Sequence, residues 1–159
     1  MKLLGAICLM GGAVMICTRW IRHRRRELRL MEEIAVALEH MAALIRLKKE
    51  PLLQAVRQQR ERVCCGELFG HLIEYVEQGE TFQHSWNRTF CALKPSEMAE
   101  LLCRTDLTGD EMQITGALCV TAQQLRQMTQ RGREGQTQNE RLCLTLGLCT
   151  AGIITIVLI

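Results

Sequence analysis

The chain has 159 residues, a formal net charge of +3 and 48% hydrophobic residues, and its charge is unevenly distributed. Residues 3–18 and 142–159 contain no charged side chain. The roughly 120 residues between them suffice for one compact domain and exclude two. A soluble domain does not expose two such apolar ends, so this distribution indicates a membrane protein held at both ends.

The first apolar segment, residues 1–21, is predicted to be a transmembrane helix because it approaches the roughly 20 residues that cross a hydrocarbon core. Basic residues flank both apolar segments on their inner sides: Arg19, Arg22, Arg24, Arg25, Arg26 and Arg141. A secretory signal peptide carries its positive charge in front of the apolar run, so this order favours an uncleaved anchor. The positive-inside rule then places residues 22–141 in the cytoplasm. We expect the arginines to contact membrane lipids rather than nucleic acid.

Helical periodicity begins directly after these arginines. From Glu27 to Leu47, apolar residues recur at steps of three and four, which predicts an amphipathic helix. Pro51 predicts a corner and then a second helix, whose weak apolar face extends to Val63. A third helix is predicted over residues 67–78. It is predicted to stop at Gly79, because glycine commonly terminates helices.

Three aromatic residues then recur at every fourth position: Phe82, Trp86 and Phe90. This spacing stacks them on one face of a fourth helix and predicts the centre of the core. Pro95 and Ser96 predict the start of a short fifth helix. Alternating β-branched runs are absent from the middle of the sequence, so no strand is predicted there.

The last helix is predicted to start at a capping box formed by Thr108 and Glu111. Its helical spacing continues toward residues 142–159, the second predicted transmembrane helix, for which a buried core helix is the alternative. No proline separates the two, so a continuous helix and a bend at Gly132 or Gly135 are both open. The chain is predicted to be an all-α cytoplasmic helical bundle flanked by an N-terminal and a C-terminal transmembrane helix.

Residues with catalytic or ligand-binding chemistry form no recognisable motif. The four histidines have no metal-binding spacing, and no phosphate-binding loop is present. The nine cysteines are odd in number, include no CxxC, and partly lie in the apolar ends, so we predict unpaired, buried thiols in a reducing cytoplasm. No catalytic, cofactor-binding or metal-binding residue is predicted, and the chain is predicted not to be an enzyme.

Short motifs along the whole chain resemble the stage III sporulation protein AB family. They are KLLGA from Lys2 to Ala6, RELRLMEEIAVALEHMAALI from Arg26 to Ile45, EPLLQAV from Glu50 to Val56, Phe69, Gly79, Trp86, Asp110 with Gln113, and the ending LGLCTAGIITIVLI. Two positions depart from the family pattern: Glu50 precedes Pro51 where threonine is usual, and Thr108 follows Leu107 where glycine is usual. The order and spacing of the motifs carry the resemblance.

The resemblance implies a subunit of the complex that spans the two membranes between mother cell and forespore and supports late gene expression in the forespore. It implies a position in the mother-cell membrane around the forespore. It also implies a helical domain similar to F-type platform proteins of type II secretion and type IV pili. The implied partners are other membrane proteins of the complex, a cytoplasmic ATPase and a possible second copy of the chain.

The docking surface for the ATPase is predicted on the polar faces of the helices at residues 27–47 and 67–78, with Glu67, Glu74 and Glu77 as its acidic residues. The aromatic face of the fourth helix is required for the core. The alternative function is a platform-like inner-membrane subunit of a type II secretion or type IV pilus machine, although such subunits usually repeat the helical domain and have more spans.

Overall fold

The computed structural model describes the backbone of residues 2–158 and the side chains of residues 11, 12, 15, 16, 18–135 and 145. The described backbone forms α-helices and no strand, which confirms the all-α prediction. The helices are α1 (Lys2–Lys48), α2 (Leu52–Arg57), α3 (Gly66–Glu77), α4 (Phe82–Phe90), α5 (Ser96–Cys103) and α6 (Glu111–Leu158).

Within the described part of the chain, no helix combines the length and the apolar character needed to cross a membrane. The two predicted transmembrane helices, residues 1–21 and 142–159, lie mostly outside the residues whose side chains are described.

The chain divides into two compact units. The terminal unit contains Met1–Leu28 and Gln130–Ile159, and the helical body contains Arg29–Thr129. In the terminal unit, a methyl group added at Gly132 would lie 2.6 Å from Cδ2 of Leu28, so the absence of a side chain there lets α6 approach α1 closely. Helix α6 passes through both Gly132 and Gly135 without interruption.

The helical body has a core built from one face of each helix. Helix α3 packs against α2 and α4, and α4 packs against α5. The largest completely buried apolar side chains are Ile34, Leu38 and Met41 of α1, Phe69 and Leu72 of α3, Trp86 and Phe90 of α4, Met98 and Leu102 of α5, and Leu118 and Leu125 of α6. The predicted periodicity of the first helix is therefore the stripe that α1 buries in the body.

The corner after α1 is formed by Lys49, which adopts a left-handed conformation with φ 57°, and by Pro51. Helix α2 is shorter than predicted, since it ends at Arg57 and a series of tight turns follows. Val63, predicted to belong to its apolar face, is 94% exposed. The predicted length of α2 was wrong because the spacing of its few apolar residues continues past Arg57, where the backbone forms tight turns and not helix.

Gly79 ends α3, as predicted. Its φ of 94° is accessible to glycine at little cost. In this conformation the Gly79 N–H donates to the Val76 carbonyl at 3.0 Å, and the Glu80 N–H donates to the Tyr75 carbonyl at 3.2 Å. These two bonds form a Schellman motif, which satisfies carbonyls that the helix end leaves free.

The predicted capping box at the start of α6 is corrected by the structure. Asp110 is the capping residue, because its Oδ1 accepts the backbone N–H of Gln113 at 2.8 Å. The hydroxyl and backbone N–H of Thr108 instead donate to Asp106. Glu111 pairs with Lys49 at 2.6 Å. The spacing of Thr108 and Glu111 fits a capping box, but an aspartate one residue before the helix occupies the cap position.

The prediction for the cysteines is also corrected. The structure joins Cys91, which follows α4, to Cys103, the last residue of α5, in a disulfide with a Cα–Cα distance of 5.9 Å. Among the unpaired cysteines whose side chains are described, Cys64 and Cys119 are exposed and Cys65 is buried. Burial raises the pKa of the Cys65 thiol to about 12, so this thiol remains protonated at neutral pH. The pairing depends on how α4 and α5 cross, which spacing in the sequence does not reveal.

Candidate docking surface

Three carboxylates define the acidic face of α3: Glu67, Glu74 and Glu77, all of them exposed. They occupy the side of the helix opposite Phe69 and Leu72, which are buried in the core. The 3.6-residue period of the helix therefore separates the core face from the charged face. The structure brings all three predicted residues to one surface.

The acidic face borders an open cleft of about 960 Å³ between α2 and α3, here called the α2–α3 cleft. Arg57 and Arg60 line its other side. Arg57 Nη2 donates to Glu77 Oε1 at 2.9 Å, and His71 lies 3.7 Å from Glu74 within α3. The cleft thus presents carboxylates beside guanidinium groups, an arrangement suited to a partner with mixed surface charge.

Two glycines shape this cleft. Gly66 is buried, and a methyl group at its Cα would lie 2.3 Å from the Arg60 carbonyl oxygen. The backbone of the turn before α3 therefore packs directly against Gly66, the first residue of α3. A methyl group at Gly70 would meet only the Arg60 Nε, at 3.8 Å, so this position leaves the cleft open without steric conflict.

A buried glutamine holds the end of α2. The Gln59 side-chain amide donates to the Ala55 carbonyl at 3.1 Å and lies 2.9 Å from Nδ1 of His40 on α1. Its side-chain oxygen accepts the Arg62 Nε–H at 2.8 Å. Completely buried polar groups are costly unless they are hydrogen-bonded, and these partners satisfy both ends of the amide. The sequence did not indicate a structural role for Gln59, because glutamine is usually exposed and no apolar pattern marks this position as buried.

Glu33 of α1 holds the start of α3. Its carboxylate accepts the backbone N–H of Cys64 at 2.7 Å, just before α3 begins. Burial alone would raise the pKa of Glu33, but hydrogen bonds from the Cys64 backbone and thiol and from the Cys65 backbone lower it below its ordinary value of 4.5. A carboxylate near a helix N-terminus also interacts favourably with the helix dipole.

Two acidic residues on the first predicted docking helix have partners within the body. Glu33 binds the turn before α3, and Glu39 pairs with Arg126 of α6. The exposed residues of α1 within the body include Arg29, Val36 and Ala43. The acidic surface available to a partner is therefore carried mainly by α3, and the contribution predicted for residues 27–47 is smaller than the sequence suggests.

Two of the three aromatic residues of α4 lie in the core of the helical body. Trp86 and Phe90 are completely buried, with ring centroids 4.4 Å apart, whereas Phe82 is only partly buried. The Trp86 indole N–H donates to the Leu102 carbonyl at 2.8 Å. Phe69 of α3 meets Phe90 edge to face at 5.8 Å. This face of α4 is consumed by packing and is unavailable to a partner.

A second glutamine, Gln83 of α4, holds the loop between α5 and α6. Its amide nitrogen donates to the Thr105 carbonyl at 3.1 Å, and its oxygen accepts the Leu107 N–H at 2.9 Å. The Thr105 hydroxyl contacts the Thr121 hydroxyl of α6 at 2.9 Å. One side chain thus satisfies two backbone groups of the loop. No motif in the sequence marks Gln83.

The predicted membrane-flanking arginines lie on an exposed part of α1. Arg19, Arg22, Arg24, Arg25 and Arg26 are all exposed, whereas Arg141 lies outside the residues whose side chains are described. Glu27 pairs with Arg24 at 3.1 Å and with His23 at 3.4 Å. These groups belong to the terminal unit.

No group of three or more histidine, cysteine or acidic side chains within the described residues is placed to hold a metal ion. Three of the four histidines, His23, His40 and His71, are close to glutamate or glutamine side chains. The features of the described surface that could contact a partner are its paired charges and the α2–α3 cleft.

These features define an all-helical protein with a charged surface cleft on a self-contained helical body. The chain belongs to the stage III sporulation protein AB family, since the model of that family matches residues 2–159. The resemblance seen in the short motifs is thereby confirmed over essentially the whole chain, and the protein is a stage III sporulation protein. No curated protein and no solved structure matches the chain.

Proposed function

We propose that this protein is a non-enzymatic membrane platform of the stage III sporulation complex, which docks a cytoplasmic ATPase on its helical body. The observation that supports this proposal is the exposed acidic face of α3 beside the α2–α3 cleft. Charges at the rim of an interface guide association and set its orientation, and this surface offers both signs. Membership in a sporulation family supplies the cellular context.

The two apolar segments serve as membrane anchors in this proposal. Residues 3–18 and 142–159 carry no charge, and arginines follow the first and precede the second. The positive-inside rule puts the helical body in the cytoplasm of the mother cell. Two anchors hold the body against the membrane, where the other subunits of the complex assemble.

Charge reversal on α3 tests the docking surface. We expect Glu74→Lys with Glu77→Lys to weaken capture of the cytoplasmic ATPase of the complex at least about tenfold, because the introduced lysines repel the cationic groups that a carboxylate attracts. The matched control is Glu97→Lys with Glu100→Lys, which reverses two exposed charges on α5. Circular dichroism establishes that both variants remain helical.

Undiminished capture by the α3 variant would contradict the assignment of this surface. Equal loss in the α3 and α5 variants would show that net charge, rather than the acidic face, governs binding.

The alternative, a platform-like subunit of a type II secretion or type IV pilus machine, gains no specific support. The family model matches the chain once, from residue 2 to residue 159, and the chain has one helical body.

A further inference from the structure

Four residues of α1 share one face in the terminal unit: Met15, Arg19, Arg22 and Arg26. Their spacing of four, three and four residues places them in one stripe along an α-helix. They line an open cleft of about 640 Å³ together with Ile16 and His23. We call Arg19, Arg22 and Arg26 the basic stripe.

The basic stripe has no acidic partner among the residues whose side chains the structure describes. The neighbouring His23 and Arg24 differ, since both contact Glu27. All three guanidinium groups of the stripe are exposed. Three unpaired guanidinium groups on one face attract an anion that can contact several of them, and phosphate is the anion that guanidinium groups bind bidentately.

Large apolar side chains adjoin the basic stripe: Met15 and Ile16 precede it, and Trp20 follows its first arginine. Met15 is 74% exposed, Ile16 71% and Trp20 50%. Exposed apolar side chains next to unpaired cations match the two parts of a phospholipid, whose acyl chains continue from an anionic headgroup. Tryptophan is also enriched at the boundary between hydrocarbon and headgroups.

We propose that the basic stripe binds the phosphate of anionic phospholipids, with the acyl chains lying along Met15 and Ile16. This inference rests on the membrane anchoring proposed above and adds a preference among lipids. Arg19 and Arg26 are separated by about 10 Å along the helix axis, at about 1.5 Å per residue. One headgroup region is about 5 to 8 Å deep, so the stripe covers its depth.

Quenching of Trp20 by brominated lipids measures this preference directly. The full-length protein is reconstituted in vesicles of phosphatidylcholine and phosphatidylglycerol in which one or the other lipid is brominated. Trp86 is completely buried, so quenching reports on Trp20. We expect phosphatidylglycerol to be favoured over phosphatidylcholine near Trp20 by at least about fivefold, the factor that one basic residue supplies near an anionic surface.

Removing the stripe supplies the critical comparison. Arg19→Gln with Arg22→Gln and Arg26→Gln is expected to abolish the preference, so that the two lipids quench Trp20 equally. The control, Arg46→Gln with Lys94→Gln and Arg104→Gln, removes the same charge from exposed positions of the helical body and is expected to retain the preference. Raising the salt concentration weakens the preference in the wild-type protein, because screening shortens the reach of the guanidinium charges.

Equal quenching by both lipids in the wild-type protein would overturn the lipid preference while leaving membrane anchoring intact. Failure of the protein to enter either kind of vesicle would overturn the anchoring itself. Binding of a DNA duplex by the wild-type protein, lost in the stripe variant and accompanied by equal lipid quenching, would assign the stripe to nucleic acid instead.

Discussion

At the residue scale, the α2–α3 cleft depends on a few contacts that hold its walls in place. Because Gly66 has no side chain, the backbone of the turn before α3 packs directly against it. Glu33 of α1 accepts a hydrogen bond from the same turn. Gln59 holds the end of α2 from beneath. None of these residues belongs to the acidic face: Gly66 and Glu33 position α3, which carries that face, and Gln59 positions the opposite side of the cleft.

Replacing Gly66 with alanine is expected to lower the free energy of unfolding by about 1 to 3 kcal/mol, because the new methyl group would overlap the backbone carbonyl of Arg60. Gly70→Ala in the same helix is the control. It meets only ordinary contact and is expected to raise stability by up to about 1 kcal/mol, since alanine favours a helix interior. Thermal unfolding followed by far-UV circular dichroism distinguishes the two, and equal stability of both variants would contradict the close approach.

Glu33 predicts a specific dependence of stability on pH. Its pKa is lower in the folded protein than in the unfolded chain, so its contribution is present above about pH 4.5 and is lost as pH falls through the lowered pKa. We therefore expect Glu33→Gln to be less stable than the wild type near neutral pH and to converge with it in acid.

Unfolding measured at a series of pH values shows whether this convergence occurs. Glu97→Gln, a substitution of an exposed carboxylate on α5, serves as the control and is expected to match the wild type throughout. A difference between Glu33→Gln and the wild type that stayed constant down to the most acidic point would contradict the linkage.

At the scale of elements, specific contacts fix the end of α3, the start of α6 and the loop between α5 and α6. A Schellman motif ends α3, Asp110 caps α6, and Gln83 fixes the loop that leads from α5 to α6. Each satisfies backbone groups that a helix end or loop would otherwise leave without partners.

Asp110→Ala is expected to cost about 1 kcal/mol of stability, because it removes the acceptor for the Gln113 N–H at the start of α6. Thr108→Ala is expected to cost less, since the Thr108 backbone N–H still reaches Asp106. Thermal unfolding of the two variants ranks them. The reverse order would favour the capping box over the observed cap.

At the scale of the whole molecule, the proposed topology places both termini outside and the helical body in the cytoplasm. Single cysteines in a cysteine-free background test this directly. Lys2→Cys, Arg60→Cys and a cysteine added after residue 159 are expected to be labelled from outside, inside and outside by a membrane-impermeant reagent. Labelling of either terminus from inside would contradict the topology.

The proposed cytoplasmic location also makes a prediction about Cys91 and Cys103, which the structure joins in a disulfide. Cytosolic thiols are kept reduced, so both cysteines are expected to be alkylated when intact cells are treated with a permeant reagent before lysis. Air-oxidised purified protein is the control and is expected to contain the disulfide. Recovery of the disulfide from alkylated cells would argue against a reducing surrounding.

The sequence by itself determined the helical content, the buried stripe of α1, the stop at Gly79 and the family. The first three follow from local rules, since periodicity and glycine conformations act over a few neighbouring residues, and the family follows from the order of short motifs along the chain. The acidic residues of α3 were predictable for the same reason, because a helix with one apolar face exposes the other. The weak spacing that continued to Val63 shows where such reasoning ends.

Only the tertiary structure decided that Gln59 and Gln83 are internal supports and that Cys91 meets Cys103. It also paired Glu33 and Glu39 of α1 within the body, which leaves α3 as the more acidic of the two predicted docking helices. The physical reason is that hydrogen bonds and pairings between distant residues depend on how helices cross. A one-dimensional pattern specifies which faces are apolar and leaves those crossings undetermined.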